Sequence, residues 1–501
     1  LRYAAALRPV RRHGLKTQLA RSSRLPQTVV DTAASGDPEK GRRAVRRQAA
    51  TMNPQVFREY DIRGIVERDF DDDFVVSLGR AYATMLKRAG KATITLGRDC
   101  RLSSDRLFGL LGDGLLQSGI NVVDIGVVPT PLLYFSVIHW RMDGGAMITG
   151  SHNAAEYNGF KLGVGPSTIY GDEIQEARRI IERKDFSAAG ARGTLSTRSV
   201  IGDYNDFIKR TITLRPLKVA VDGGNGCGGV IAAPLMRELG LETVELFIEM
   251  DGRFPNHHPD PTVEENMRDL VAAVKSSGAR IGIAYDGDAD RIGAVDENGR
   301  IVWGDELMVV FSRAILRERP GAAIIGDVKC SNRMYDDITA HGGRAIMWKT
   351  GHSLIKSKLK EEHAALAGEM SGHMFFADRY YGFDDAIYAS FRLLEIVSRE
   401  RRGLAQILAD LPKSSFTPEI RLDCPDERKF DVVRKAADYF RGRYDVIEID
   451  GVRVKFPGGW GLVRASNTQP ALVMRFEASD EKTLGEIRTL FESKLKELGA
   501  M

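Results

Sequence analysis

From Val56 onward, short apolar runs alternate with amphipathic helical segments, and the alternation begins afresh twice. The first stretch has strands at 93–96, 121–125 and 147–148, helices at 104–118 and 131–140, and a charged helix at 171–183. The order resumes with a strand at 218–221, a helix from about 228 to 239, a strand at 243–246, a helix at 263–277 and a strand at 281–285. After Trp303 it resumes again as helix 305–317, strand 323–325, helix 332–340, strand 345–347 and helix 353–360. Strands that alternate with helices bury their apolar faces in mixed or parallel α/β layers. Each block is about a hundred residues long, the size of a small domain.

The last block breaks the pattern. A strand-like run at 416–422 and a helix at 428–441 precede strands at 445–449, 452–456, 461–465 and 471–477 and a helix at 480–498. Closely spaced strands with a Gly458-Gly459 turn predict an antiparallel sheet in an α+β domain. The fold class is therefore α/β: three similar mixed α/β domains (52–197, 198–299 and 300–411) plus a C-terminal α+β domain (412–501).

Composition narrows the function classes. Hydrophobic residues make up 43% and charged residues 28% of the 501, as in an ordinary water-soluble protein. No apolar run reaches the ~20 residues of a membrane span. The net charge of +4 is unevenly placed: residues 1–51 carry 12 Lys/Arg and 3 Asp/Glu, and the remainder carries 60 and 65. The body is thus mildly acidic, which argues against nucleic-acid binding. The basic first segment is poorly periodic and is expected to be a disordered extension. Cys100, Cys227, Cys330 and Cys424 are scattered without a C-x-x-C pair, a pattern expected of a reducing cytoplasm and not of a disulfide framework.

Four motifs carry chemistry. In Ala146-Met-Ile-Thr-Gly150-Ser151-His152-Asn153, an apolar strand ends at Thr149 and Gly150 permits a sharp turn. Ser151 then stands at the tip, where a nucleophile is placed; in isolation such a run is equally a polar βα loop. Lys161 returns ten residues later. In Ile281-Gly-Ile-Ala-Tyr-Asp286-Gly-Asp288-Ala-Asp290-Arg291, three aspartates at spacing two follow an apolar strand. Carboxylates held ~6 Å apart at an effective dielectric near 20 repel by roughly 3 kcal/mol per pair, so the cluster calls for a cation. All-oxygen donors favour Mg²⁺ or Ca²⁺. An EF-hand is excluded, because Arg291 stands where its loop needs glycine and the flanks are strand-like. Gly368-Glu369-Met370-Ser371-Gly372-His373 reads as a polar loop between two strands. Arg464-Ala-Ser466-Asn467-Thr468-Gln-Pro470 joins a cation, two hydroxyls and an amide in one turn, the makings of a phosphate cradle or of a plain Asx turn.

Taken together and in this order, the four motifs resemble those of the α-D-phosphohexomutases, over residues 52 to 501. That family writes its phosphoserine loop T-x-S-H-N-P with N-G-x-K following, and its metal loop D-G-D-x-D-R. Its usual proline is replaced here by Ala154-Ala155. G-E-M-S-G-H is similar to the bacterial phosphomannomutase/phosphoglucomutase group, whereas phosphoglucosamine mutases usually have glutamine at the place of Met370. Phe57-Arg58-Glu59-Tyr60-Asp61-Ile62-Arg63-Gly64 resembles the family's opening.

The resemblance implies four domains around a central cleft. It implies that Ser151 carries a phosphoryl group and that Asp286, Asp288, Asp290 and the phosphoserine hold one Mg²⁺. Arg63, Lys161 and Arg291 would supply positive charge or manage a proton. Tyr60, Lys329, His352, Glu369, Met370 and Ser371 would line the sugar site, and Arg464, Ser466, Asn467 and Thr468 would grip the distal phosphate. The implied reaction interconverts hexose 1- and 6-phosphates of mannose, glucose or both, with hexose 1,6-bisphosphate as intermediate and activator. The partner is then a phosphohexose, without nucleic acid or membrane, and the protein a cytoplasmic monomer or weak dimer. A phosphoglucosamine mutase or a non-mutase sugar phosphatase is the alternative. Reading both orientations of the sugar would require the last domain to move on a hinge near 411–413.

Overall fold

Three of the four sheets in the computed structural model pair parallel strands at their centre and end in an antiparallel hairpin. The described residues are 52–188, 190–467 and 469–500; the expected disorder of the first 51 residues falls outside them. In the first sheet Asn121–Val127, Thr93–Arg98 and Gly144–Ile148 run parallel, and Tyr157–Val164 turns back antiparallel along Gly144–Ile148. In the second, Glu242–Leu246, Lys218–Asp222 and Ile281–Tyr285 run parallel, and Ile292–Asp296 returns along Ile281–Tyr285. In the third, Arg344–Trp348, Ala323–Asp327 and Leu366–Gly368 run parallel, and Met374–Phe376 returns. The fourth sheet is antiparallel throughout, and Gly459–Ala465 pairs with Ala471–Ala478.

Each chemistry-bearing motif is thus a hairpin connection. The serine, the aspartates, the Gly368–His373 run and the Arg464–Pro470 run all sit where one strand reverses into the next. Residues of a hairpin loop need not enter the sheet ladder, so their polar groups are free to point at a shared space.

Besides the single turns Val66–Asp69 and Leu404–Ile407, three longer helices among the described residues lie outside the sequence-based assignment: Asp72–Arg88, Ile201–Thr211 and Ala386–Glu400. The last is buried on nearly every side, although Arg392, Glu395 and Arg399 recur at helical spacing along it. The run at 416–422 is not one strand. It breaks into Ser415–Phe416 and Ile420–Asp423, because Pro418 interrupts the ladder and the intervening residues face the cavity. The helix expected at 263–277 opens as a 3₁₀ turn over Glu264–Met267 before Arg268–Ser277.

The first and last blocks each have their own apolar core, whereas the second and third share one that also takes in helix Thr130–His139. The last block is bound to the third by buried arginines. Arg453 stacks 3.5 Å over Trp460, donates to the carbonyls of Val328 and Cys330 (2.8 Å for the latter) and reaches Asn332 at 2.7 Å. Arg475 pairs with Asp305 at 3.0 Å.

Candidate active site

The Ser151 loop is held from beneath by one guanidinium. Asp99, at the end of strand Thr93–Arg98, accepts from the Gly150 amide at 3.0 Å and pairs with Arg101 at 3.1 Å. Arg101 donates in turn to the carbonyls of Ser151 (2.8 Å), Asn153 (2.6 Å), Ala154 and Tyr157 (3.0 Å). A Cβ on Gly150 would stand 2.4 Å from this guanidinium, so the arginine can lie under the loop only because position 150 is glycine. Ser151 itself has φ of 49°, a conformation a non-glycine residue adopts only where the surroundings impose it.

The aspartate loop meets the serine loop edge to edge. Ser151 Oγ donates to Asp286 Oδ2 at 3.1 Å and also lies 3.1 Å from His152 Nδ1. A Cβ on Gly287 would stand 2.5 Å from the Ser151 carbonyl, and one on Gly226 2.6 Å from the Gly287 carbonyl. The glycine-rich run after strand Lys218–Asp222 therefore serves close backbone stacking under the two loops. Asp286 Oδ1 accepts from the amides of Asp290 (3.0 Å) and Arg291 (3.1 Å), which fixes the turn.

The charges of the cluster are unbalanced. Asp286, Asp288 and Asp290 are fully buried, and their oxygens come within 4.8 Å of one another. Lys161 bridges the last two, at 2.9 Å from Asp288 Oδ2 and in a shorter contact with Asp290 Oδ2. Burial alone would lower the Lys161 pKa, but Asp288 and Asp290 outweigh it and hold the group well above the usual lysine range. Burial, with Asp290 and Asp288 nearby, pushes Asp286 well up. Asp288 Oδ1 and Asp290 Oδ1 have no hydrogen-bond partner among the described residues. Two orphaned carboxylate oxygens beside a serine oxygen fit a hard divalent cation, with one lysine offsetting part of the negative charge.

Above this floor opens a cavity of about 570 Å³. Its wall carries Arg63, Ser151, Lys161, Asp290, Arg291, Tyr60, Lys329, His352, Glu369, Met370, Ser371, Arg464, Ser466 and Asn467. Asp286 and Asp288 lie beneath it, and Thr468 falls outside the described residues. Arg63 donates to Asn153 Oδ1 at 2.6 Å and to the Gly150 carbonyl at 3.3 Å, and pairs with Asp61. Glu369 accepts from the Gly351 amide at 2.8 Å and from Ser371 Oγ at 2.9 Å. At the far end Arg464 pairs with Asp450 at 2.9 Å, and Asn467 donates to the Tyr60 hydroxyl at 2.8 Å. The Tyr60 hydroxyl donates to the Thr350 carbonyl at 2.9 Å, so the first, third and last blocks meet at this point.

Several functional candidates escaped the sequence reading. Asp99 follows a strand and Arg101 lies in the turn beyond it, with no motif to mark either. His152 is held well below the usual histidine range by burial and by Arg291 and Arg63, so a neutral imidazole lies beside Ser151. Glu419, Arg421 and Asp260 line the cavity, and Glu419 accepts from Lys329 at 3.1 Å. His373 was quoted within its motif and given no role.

A serine-bearing hairpin faces a carboxylate cage across a cavity from a cationic polar turn, an arrangement suited to phosphoryl transfer and contributed by four domains. Comparison with known proteins agrees. Models of the phosphoglucomutase/phosphomannomutase family match in succession: alpha/beta/alpha domain I over residues 54–188, domain II over 202–299, domain III over 303–415 and the C-terminal domain over 419–493. The chain belongs to the phosphoglucomutase/phosphomannomutase family. It is 45% identical to a phosphoglucomutase of Neisseria gonorrhoeae over 451 residues, 89% of this chain and 98% of that protein. It is 44% identical to a phosphomannomutase/phosphoglucomutase of Pseudomonas aeruginosa over 451 residues, 90% of this chain and 97% of that one. A crystal structure of a family protein from Burkholderia thailandensis superposes with a TM-score of 0.83 at 43% identity, covering 89% of this chain and 98% of that chain. Among the described residues no helix is long and apolar enough to cross a membrane.

Proposed function

We propose that the protein is a phosphosugar mutase that interconverts hexose 1-phosphate and hexose 6-phosphate, of mannose, glucose or both, through a phosphoserine at 151 and a hexose 1,6-bisphosphate. The observation that carries this reading is the 3.1 Å contact between Ser151 Oγ and Asp286 Oδ2 on the floor of a cavity whose far wall holds Arg464 and Asn467.

In the first half-reaction a sugar hydroxyl attacks the phosphorus on Ser151. The Ser–O–P bond breaks, the hydroxyl proton passes to the cavity wall, and Ser151 Oγ regains a proton. In the second half Ser151 Oγ attacks the phosphate at the other end of the sugar, its own proton passing toward Asp286 Oδ2 or His152 Nδ1; the sugar O–P bond breaks, and the released sugar oxygen takes back a proton from the cavity wall. Asp286, Asp288, Asp290 and Ser151 would hold one Mg²⁺, which when bound draws charge off the transferring phosphate. Arg63, Arg291 and Lys161 add fixed positive charge. Arg464, Ser466, Asn467 and Thr468 hold the phosphate that is not reacting, while Glu369 and Ser371 read hydroxyls 3 and 4. These two exchange places when the bisphosphate turns over, and C2 is left unread, so glucose and mannose are both accepted. The turnover needs the last domain, 412–501, to open and close on a hinge near 411–413. The enzyme works as a cytoplasmic monomer or weak dimer, with hexose 1,6-bisphosphate as activator. Met370 supports mannose and glucose over glucosamine phosphate.

The test is to charge Ser151 with labelled phosphate, mix the enzyme with unlabelled mannose 1-phosphate or glucose 1-phosphate, and quench. A mutase yields labelled hexose 1,6-bisphosphate and then labelled 6-phosphate. Label released only as inorganic phosphate would make the protein a phosphatase.

A further inference from the structure

His373 closes a buried chain between the cavity and the interior of the third sheet. Its ring is 4% exposed, and its two nitrogens have different neighbours. Arg291 Nε lies 3.0 Å from His373 Nε2. A guanidinium nitrogen can only donate, so Nε2 accepts and the ring proton of the neutral imidazole stands on Nδ1. Nδ1 lies 3.2 Å from Asp384 Oδ2 and 3.6 Å from Asp290 Oδ1. Asp384 is fully buried, and its Oδ2 faces His373 Nδ1 in a close polar contact; neither atom makes a hydrogen bond among the described residues, so each is the nearest group able to satisfy the other. The other oxygen of Asp384 accepts from Lys356 at 3.3 Å.

These three atoms are close enough to hold a metal, but three cations already surround them: Lys356 on Asp384, Lys161 on Asp290 and Arg291 on His373. The chain is one hydrogen bond, from Arg291 to His373, continued by the 3.2 Å contact between His373 Nδ1 and Asp384 Oδ2. Asp384 owes its place to the turn that pairs it with Phe375 and to helix Ala386–Glu400, whose first turn is capped by the neighbouring Asp385.

We propose that Asp384 is a positioning residue: it fixes His373 as the Nδ1–H tautomer and through that ring holds Arg291 over the reacting phosphate. The role in turnover rests on the mutase reading above; the tautomer does not. Asp384→Asn keeps the shape and replaces the acceptor facing His373 Nδ1 by a donor. The amide oxygen turns to Lys356, which can only donate, and the NH₂ then faces His373 Nδ1. The ring proton moves to Nε2, where it opposes the Arg291 Nε–H, and Arg291 is released.

The experiment is nitrogen-15 NMR of the histidine side chains in the full-length, Mg²⁺-loaded protein, with the His373 signals identified by their loss in His373→Gln. Wild type should show the Nδ1–H pattern and Asp384→Asn the Nε2–H pattern. The kcat of Asp384→Asn should fall at least about tenfold, with KM for glucose 1-phosphate within threefold. An Nε2–H pattern in the wild type overturns the proposal even if the variant fails to fold. An unchanged tautomer in Asp384→Asn, or an unchanged kcat, overturns it as well. Failure of the wild type to form labelled bisphosphate would instead overturn the mutase reading, leaving the NMR result to stand alone.

Discussion

Ser151 Oγ and Asp286 Oδ2 lie 3.1 Å apart although 135 positions separate them in the chain. The contact joins the hairpin of the first sheet to that of the second. It places a hydroxyl at the rim of a carboxylate cage, so its loss should separate chemistry from folding.

Ser151→Ala removes one hydroxyl from a loop whose backbone is held by Arg101 and Asp99. Mass spectrometry should find no phosphoprotein, and turnover should fall by at least about 10⁴-fold. The melting temperature should stay within a few degrees of wild type. Retained turnover would remove Ser151 from the mechanism.

Asp286→Asn removes one negative charge from a crowded, buried trio. Its Oδ1 can still accept the amides of Asp290 and Arg291. After chelation the variant should be at least as stable as chelated wild type, because burial and Asp290 and Asp288 already disfavour the Asp286 carboxylate. Added Mg²⁺ should stabilise and activate wild type and leave the variant almost unchanged. Thermal melts with and without Mg²⁺ decide this, and equal responses would place the cation elsewhere.

Arg101→Lys keeps the charge and discards the fork. A lysine ammonium has three donors and cannot span four carbonyls and a carboxylate. The variant should lose about 2–4 kcal/mol of stability in urea unfolding and more than tenfold in kcat. A fully active variant would show that the loop holds its shape without the guanidinium.

Glu419→Gln tests the link between the last block and Lys329. Burial raises the Glu419 pKa, but Lys329 and Arg421 outweigh it and bring the group down to about 2. A depressed carboxylate stabilises the fold fully above its unfolded pKa of about 4.5, and loses that contribution as pH falls through about 2. The wild-type advantage over Glu419→Gln should reach up to about 3 kcal/mol at pH 6–7 and narrow below pH 4.5. Urea titrations of both proteins across that range measure it. A gap that widened on acidification would give the pair no part in stability.

The order of strands and helices was legible because each element carries its own period, and the four motifs were legible because their residue types are packed into a few consecutive positions. Helix Ala386–Glu400 was left unassigned although Arg392, Glu395 and Arg399 recur at helical spacing; what only the structure shows is that Arg392 and Glu395 of this polar stripe are themselves buried and paired with an acid and an arginine of a neighbouring segment. The break at Pro418 was hidden because Phe416, Ile420 and Leu422 keep the period-two alternation of one strand across it, and only the cavity shows why the ladder is interrupted.

Sequence alone determined that three acidic side chains stand together after an apolar strand and that a serine stands at a glycine turn, because both facts are local. Only the tertiary structure decided that they touch, that Lys161 bridges two of the acids, and that His373 lies between Arg291 and Asp384. Arg453 and Arg475 make the same point. Nothing in their strand sequences gives these charged residues a partner, yet both are buried and donate to groups of the third block. The partners of such groups come from distant chain segments, and which segments meet is settled by packing the sheets together.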